Sequence, residues 1–358
     1  MNPKNIIRIK KTVFMIGVAA MALAAGAAGA ALIADSVVGS LALPFSSEAT
    51  PVSLSAAKPD TSKVSLAAKS SIALYKKKVG ATALDKVYLP GDEAGAGAVL
   101  TSDGWIVTSS ALLASRDGFV AVFADKTTAP IDPTKAVHDA ATGLSFIKIA
   151  AHDLPVASFG DDTALNAADP VFSVSPDAVV AADVLAARRL PAQTKTDYVE
   201  STETLGRRIM IDRSGLAGSS VVDASGNVVG FDMGDGTAVP ESFANEVLHD
   251  LFKSGKIERP VVGAHFVSLD GLPNAKDAGL AGSGALITGG GKYRATEKGS
   301  AAETAGLKEG DVITFVEHDR INNVETLSER LQDYASGAVV ELTVVRAGKE
   351  IKVGLTLK

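Results

Sequence analysis

Residues 298–313 read Lys298-Gly299-Ser300-Ala301-Ala302-Glu303-Thr304-Ala305-Gly306-Leu307-Lys308-Glu309-Gly310-Asp311-Val312-Ile313. They sit inside a small α+β pattern that begins at Arg259. A strand-like run over 261–267 comes first, followed by a loop-rich segment. After the quoted stretch come a helix over 324–334 and a hairpin that pairs 339–346 with 350–357 around Ala347-Gly348-Lys349. The glycine-rich stretch 282–291 lacks the G-x-x-x-x-G-K-[ST] spacing of a phosphate cradle and has no helix after it, so it reads as a loop.

Upstream of Arg259 the pattern changes to short β-branched runs alternating with turn signals, the spacing of antiparallel barrels. Ala98-Val99-Leu100 and Trp105-Ile106-Val107 flank the turn 101–104. Val221-Val222 and Val228-Val229 flank the turn 223–227. Gly104 and Gly226 stand where a tight turn needs positive φ, so Asp103 and Asp223 read as turn residues and Trp105 as core. Further strands are expected over 119–123, 144–149, 171–174, 179–186 and 208–212. An amphipathic helix over 241–253, with Phe243, Val247, Leu248 and Leu251 on one face and Gly255 as its stop, closes the region.

At the N-terminus, Lys4, Arg8, Lys10 and Lys11 precede residues 12–34, which carry no charge. As a helix this run spans roughly 34 Å against a hydrocarbon core of about 30 Å, enough for a transmembrane anchor with residues 1–11 as a cytoplasmic basic tail. Small-x-small triplets at 22–24, 25–27 and 28–30 leave a cleaved signal sequence as the competing reading. Either way the remainder is exported. Residues 35–66 read as a flexible tether, 67–255 as the barrel region and 256–358 as the α+β domain.

Composition narrows the function classes. The 358 residues are 46% hydrophobic and 21% charged, enough for packed cores in two or three domains. A net charge of −6 provides no basic field for nucleic acid. With no cysteine, disulfides, thiolate metal sites and thiol nucleophiles are excluded. The five histidines, His138, His152, His249, His265 and His318, show no compact metal-ligand spacing, and no cofactor is expected.

The 298–313 stretch resembles the K-G-S-P-A-x-x-A-G-L-x-x-G-D-V-I signature of PDZ domains in HtrA-type proteases. Residues 95–108 resemble the opening strand pair of that family's trypsin-like domain, and Gly226-Asn227-Val228-Val229-Gly230 the hairpin after its catalytic serine. The resemblance implies a mainly β fold, a trypsin-like double β-barrel followed by an α+β PDZ domain. It also implies a homo-trimer or hetero-assembly.

The same resemblance makes the catalytic positions conspicuous. A serine protease needs a hydroxyl nucleophile, an imidazole base and an orienting carboxylate in mutual hydrogen-bond reach. The family's T-N-x-H-V reads Thr108-Ser109-Ser110-Ala111-Leu112 here. Its T-D-L-A reads Thr142-Gly143-Leu144-Ser145, and its G-N-S-G-G reads Gly215-Leu216-Ala217-Gly218-Ser219. All three triad positions are therefore expected to be vacated, at Ala111, Gly143 and Ala217, with the N–H groups of Gly215 and Ala217 left as a residual oxyanion-type pocket. Ser109, Ser110, Ser219 and Ser220 supply nearby hydroxyls, but a base for them is scarce.

What remains is the peptide groove. By the resemblance, Val261, Val262, Gly263 and Ala264 occupy the carboxylate-binding loop, His265 and Phe266 begin the receiving strand, and Leu327 and Leu331 stand on the opposite helix. Backbone addition to a strand edge is expected to hold peptide C-termini or unfolded chains at micromolar affinity, about −8 kcal/mol. Three functions follow as expectations. One is a membrane-tethered extracytoplasmic pseudoprotease with a scaffold or quality-control role. The others are an active endopeptidase that degrades misfolded envelope proteins, and a structural subunit of an active relative.

Overall fold

The computed structural model describes residues 61–358 apart from 81, 116, 187–197, 271, 274, 277–281 and 323–324. The basic tail, the apolar run 12–34 and most of the tether lie outside the described residues. Among those described, no helix is long and apolar enough to cross a membrane.

Two-residue periodicity builds the first sheet. Its strands are β1 (Ser71–Lys76), β2 (Gly95–Val99), β3 (Trp105–Ser109), β4 (Phe119–Phe123), β5 (Thr128–Ile131), β6 (Val137–Asp139) and β7 (Leu144–Lys148), in the order β5-β4-β1-β2-β3-β7-β6. On β1, Ile72 and Leu74 enter one core while Ala73 and Tyr75 pack on the other face. Ala129 and Ile131 of β5 meet Ile147 of β7 in that first core, so the sheet curls upon itself. Gly104 turns the β2–β3 hairpin at φ +105°, and a Cβ there would lie 2.5 Å from the Ile149 carbonyl oxygen.

A second set of strands closes into a barrel. It comprises β8 (Pro170–Val174), β9 (Val179–Ala186), β11 (Ile209–Ile211), β12 (Ser220–Val222), β13 (Val228–Asp232) and β14 (Thr237–Pro240), in the order β11-β14-β13-β12-β8-β9. Val171, Val184, Ile209 and Val221 fill it, while Phe172, Val222 and Phe231 point outward. These outward side chains share a core with Val107 and Phe146 of the first sheet and with Phe243, Val247 and Leu251 of the closing helix. That core joins the two sheets. The helix runs Glu241–Ser254 and ends at Gly255, which takes φ +70° as its left-handed cap.

The chain body begins earlier than its composition suggests. Helix α1 (Thr61–Ala67) begins within the expected tether, yet its Val64 is 1% exposed in the shared core. Helix α2 (Ser110–Leu113) follows β3, the closing helix is α3, and α4 (Ala301–Thr304) and α5 (Leu327–Gln332) belong to the last domain.

That domain holds β15 (His265–Ser268), β16 (Ala285–Ile287), β17 (Val312–Val316), β18 (Asp319–Arg320), β19 (Val339–Arg346) and β20 (Lys349–Thr356) around a core containing Phe266, Ile287, Leu327 and Leu342. Two expectations need correction. Residues 261–264 are not strand; they precede β15 as a loop, with Val261 bonded in both directions to Lys358. The glycine-rich 282–291 is not a plain loop. It contains β16, and Gly289 is packed so closely that a Cβ would lie 2.5 Å from the Tyr293 carbonyl oxygen. One strand had no signal at all. Glu200–Ser201, here β10, precedes the barrel strand β11 in the chain but pairs antiparallel with β15, so the sheet order is β10-β15-β16-β17-β19-β20 with β18 on β17.

The placement of α1 is testable. Val64→Asp, which buries an unpaired carboxylate, is expected to cost about 3 kcal/mol or more in urea denaturation. Leu66→Asp on the exposed side of the same helix is expected to stay within about 0.5 kcal/mol.

Candidate functional site

The segments that carry Ala111, Gly143 and Ala217 are tied to β2 or to one another by backbone and packing contacts. Ala111 is in α2, Gly143 in the β6–β7 turn and Ala217 in the loop before β12. The Ser110 N–H donates to the Gly143 carbonyl oxygen at 2.8 Å, which ties α2 to that turn. The Ala96 N–H donates to the Ala217 carbonyl oxygen at 2.8 Å. A Cβ added at Gly95 would collide with both Leu112 (2.3 Å) and the Ala217 oxygen (2.8 Å), so both loops close on one point of β2. Met233 and Gly234 complete the cluster. A Cβ at Gly143 would lie 3.7 Å from Met233 Cε, and one at Gly234 would lie 3.1 Å from Ala217 Cβ. At these three positions the side chains are two methyl groups and a hydrogen, and none can exchange a proton or attack a carbonyl.

The Gly215 N–H, expected to help form a residual anion pocket, is already engaged. It donates to Asp232 Oδ2 at 2.7 Å, and the same oxygen accepts from Ser173 Oγ at 2.8 Å. Asp232 Oδ1 takes the Gly234 N–H at 2.8 Å, and the residue is fully buried. A fixed carboxylate thus takes the donor that an incoming oxyanion would need, because a buried charge must be satisfied by local N–H and O–H groups.

Nearby hydroxyls are mostly withdrawn from the surface. Ser219 and Ser220 are 1% and 3% exposed. Ser110 differs: its Oγ lies 2.6 Å from Ser145 Oγ, which lies 2.6 Å from His138 Nδ1. Sequence reading gave His138 no partner, because the contact depends on the β6–β7 register that sets His138 opposite Ser145. His152 pairs with Asp153 at the surface, and His265 Nδ1 lies 2.7 Å from the Arg294 carbonyl oxygen.

In the last domain, the expected groove residues divide by role. Val262, Ala264, Phe266, Leu327 and Leu331 have their side chains in the domain core, whereas Val261 is half exposed. Gly263 adopts φ +73°, and a Cβ there would lie 2.4 Å from Ser300 Cβ, so only glycine fits. This conformation aims the Val262 and Gly263 N–H groups at one acceptor, Glu203 Oε1, at 2.9 and 2.7 Å. His265 opens β15, which receives β10 at its edge.

Two arginines hold this domain against the barrels. Arg207 donates to Asp162 at 2.5 Å and to Glu329 of α5 at 3.4 Å, with its guanidinium 4.8 Å from the Phe243 ring centroid. Arg259 donates to both carboxylate oxygens of Asp139, at 3.0 and 2.8 Å, and reaches Gln332 of α5. Burial pushes the Glu329 carboxyl up to about 7 despite Arg207. Burial, with Asp162 and Asp161 nearby, also pushes Glu241 up to about 7.

A curled antiparallel sheet and a closed barrel sharing one core, followed by a domain with its own sheet and core, define a trypsin-like peptidase fold joined to a PDZ domain. Comparison with known proteins agrees. The trypsin-like peptidase domain model matches residues 95–231 and the PDZ domain model residues 260–357. A trypsin-like peptidase domain followed by a PDZ domain is the order in this chain, which is similar to HtrA- and DegP-like proteins. It is 27% identical over 275 residues to a serine protease Do-like HtrA of Lactobacillus helveticus, covering 71% of this chain and 65% of that protein. It is 27% identical over 281 residues to a probable periplasmic serine endoprotease DegP-like of Brucella suis, covering 74% and 52%. The chain thus spans between about half and two thirds of these relatives. Among solved structures, the HtrA-type protease AlgW with decapeptide superposes with TM-score 0.59 at 20% identity, over 83% of this chain and 98% of that one. AlgW with tripeptide gives 0.60 at 21% identity, over 82% and 95%. At these identities the structures show the fold alone.

The raised Glu241 carboxyl has a definite sign. A carboxyl whose folded value exceeds its unfolded value stabilises the fold at low pH, and that contribution is lost as pH rises from about 4.5 through about 7. Glu241→Gln is expected to be more stable than the parent at pH 8 by about 1–3 kcal/mol, and the gap should close toward pH 5 in denaturant titrations.

Proposed function

We propose that this chain is an HtrA-like pseudoprotease: a trypsin-like body without its catalytic triad, retained for binding, whose PDZ domain engages peptide C-termini or unfolded polypeptide. The observation that carries the reading is the adjacency of the segments that hold Ala111, Gly143 and Ala217, the positions where the family resemblance requires histidine, aspartate and serine. The engagement of Gly215 by Asp232 supports it further, since the anion-stabilising donor is already taken. Loss of nucleophile or base from such a unit costs on the order of a million-fold in turnover.

The uncharged run 12–34 behind a basic flank supports a tether to the cytoplasmic membrane with the body outside it. The periplasmic label on the Brucella suis relative points to the same compartment. A role in scaffolding or protein quality control, alone or in a trimer or mixed assembly, follows from a body that binds polypeptide without cutting it.

A second reading, an active endopeptidase, draws on the protease names of the relatives and on the Ser110–Ser145–His138 chain. In that chain Ser110 reaches the imidazole only through a second hydroxyl, a weaker arrangement than direct contact. Fluorescent unfolded casein separates the two readings. The parent chain is expected to show no turnover above buffer, with Ser110→Ala, Ser219→Ala and Ser220→Ala indistinguishable from it. Cleavage that any of these variants abolishes would establish the second reading.

A further inference from the structure

The groove between β15 and α5 is occupied by the chain itself. Glu200 and Ser201 pair antiparallel with Phe266 and His265, the strand addition by which a groove of this kind takes a peptide. Thr202 continues the ladder: its N–H donates to the Ala264 carbonyl oxygen at 3.0 Å, and its Oγ1 accepts the Ala264 N–H at 3.1 Å. On the opposite wall, Ser328 Oγ of α5 donates to the Ser201 carbonyl oxygen at 3.1 Å. Glu203 ends the run, and its carboxylate sits on the Val262 and Gly263 N–H groups.

Those two N–H groups are the donors that a terminal carboxylate would need. The Glu203 side chain delivers the same charge and oxygen geometry from within the chain. Its second oxygen accepts from Ser201 Oγ at 2.6 Å, and Thr202 Oγ1 donates to the first at 2.8 Å. Burial would raise the Glu203 carboxyl, but bonds from Ser201, Gly263, Val262 and Thr202 prevail and hold it below the ordinary range. Thr202 is 1% exposed, so the segment lies within the groove and not across its mouth.

We infer that Glu200–Glu203 is an internal ligand of the PDZ groove, a latch in which a side-chain carboxylate imitates a peptide C-terminus and which an external C-terminus must displace. The inference rests on the groove's being a peptide site, as proposed above. It adds that the groove is closed at rest and that its external partner must carry a free carboxylate to compete for the Val262 and Gly263 donors. The latch lowers apparent affinity by the fraction of molecules in which it is open. The chain just after the segment is tied down: the Leu205 N–H donates to the Ala141 carbonyl oxygen at 3.0 Å, and Arg207 is held by Asp162.

The test uses the full chain and a fluorescein-labelled hexapeptide Tyr-Val-Glu-Ser-Thr-Glu with a free C-terminus, the sequence of residues 198–203. Glu203→Ala is expected to bind it at least about tenfold more tightly than the parent. Because the chain has no cysteine, Ser201→Cys with His265→Cys gives a single engineered pair across the register. Oxidation should form that bond and weaken binding at least about tenfold, and reductant should restore it. Equal affinity of parent and Glu203→Ala, together with no effect of oxidation, would overturn the latch. If no form binds the peptide, the peptide-site reading fails, and amide hydrogen exchange at Val262 and Gly263 then decides the latch. Protection in the parent that is lost in Glu203→Ala sustains it, and equal exchange overturns it.

Discussion

A charge removed from water must be answered by an opposite charge or by hydrogen-bond partners within reach, and the seam between barrels and PDZ domain is built on that demand. Arg207 and Arg259 are both largely buried there, and each links a barrel carboxylate to helix α5. The guanidinium fork suits this role because its donors diverge in one plane toward several acceptors. The position of α5 sets the groove wall, and the chain between Glu203 and Arg207 runs from the groove to the seam. The occupied groove and the ionic seam are therefore parts of one arrangement.

The same rule shapes the trypsin-like domain. Asp232 is fully buried and gathers Ser173, Gly215 and Gly234 around itself, which fixes the loop ahead of β12. A loop held in this way keeps its path through hydrogen bonds to one carboxylate. The backbone route there is maintained by packing and by one buried carboxylate with its three donors.

Much of the architecture was readable from local signals. Strands over 119–123 and 179–186 and the hairpin of β19 with β20 follow from alternation and turn chemistry, and α3 from its apolar stripe and Gly255. The failures have physical causes. Helix α1 carries a single buried anchor, Val64, in a polar segment, too little for periodicity to register. Strand β16 is only three residues long between glycines. Val262 and Ala264 pack in a core, which gives 261–264 the apolar look of a strand. β10 is two residues of ordinary polarity, and only its partner makes it a strand.

The sequence by itself determined the order of domains, the turn glycines, the closing helix and the identity of the side chains at Ala111, Gly143 and Ala217, because each is a property of residues close together in the chain. Tertiary structure decided that the segments carrying these three are tied to β2 or to one another, that Asp232 takes the Gly215 donor, that His138 faces Ser145, and that Glu203 sits on Val262 and Gly263 some sixty residues away. Those contacts join groups whose separation along the chain carries no period or motif. Their energies come from burial and the need to pair polar groups, and these are set only once the sheets have packed.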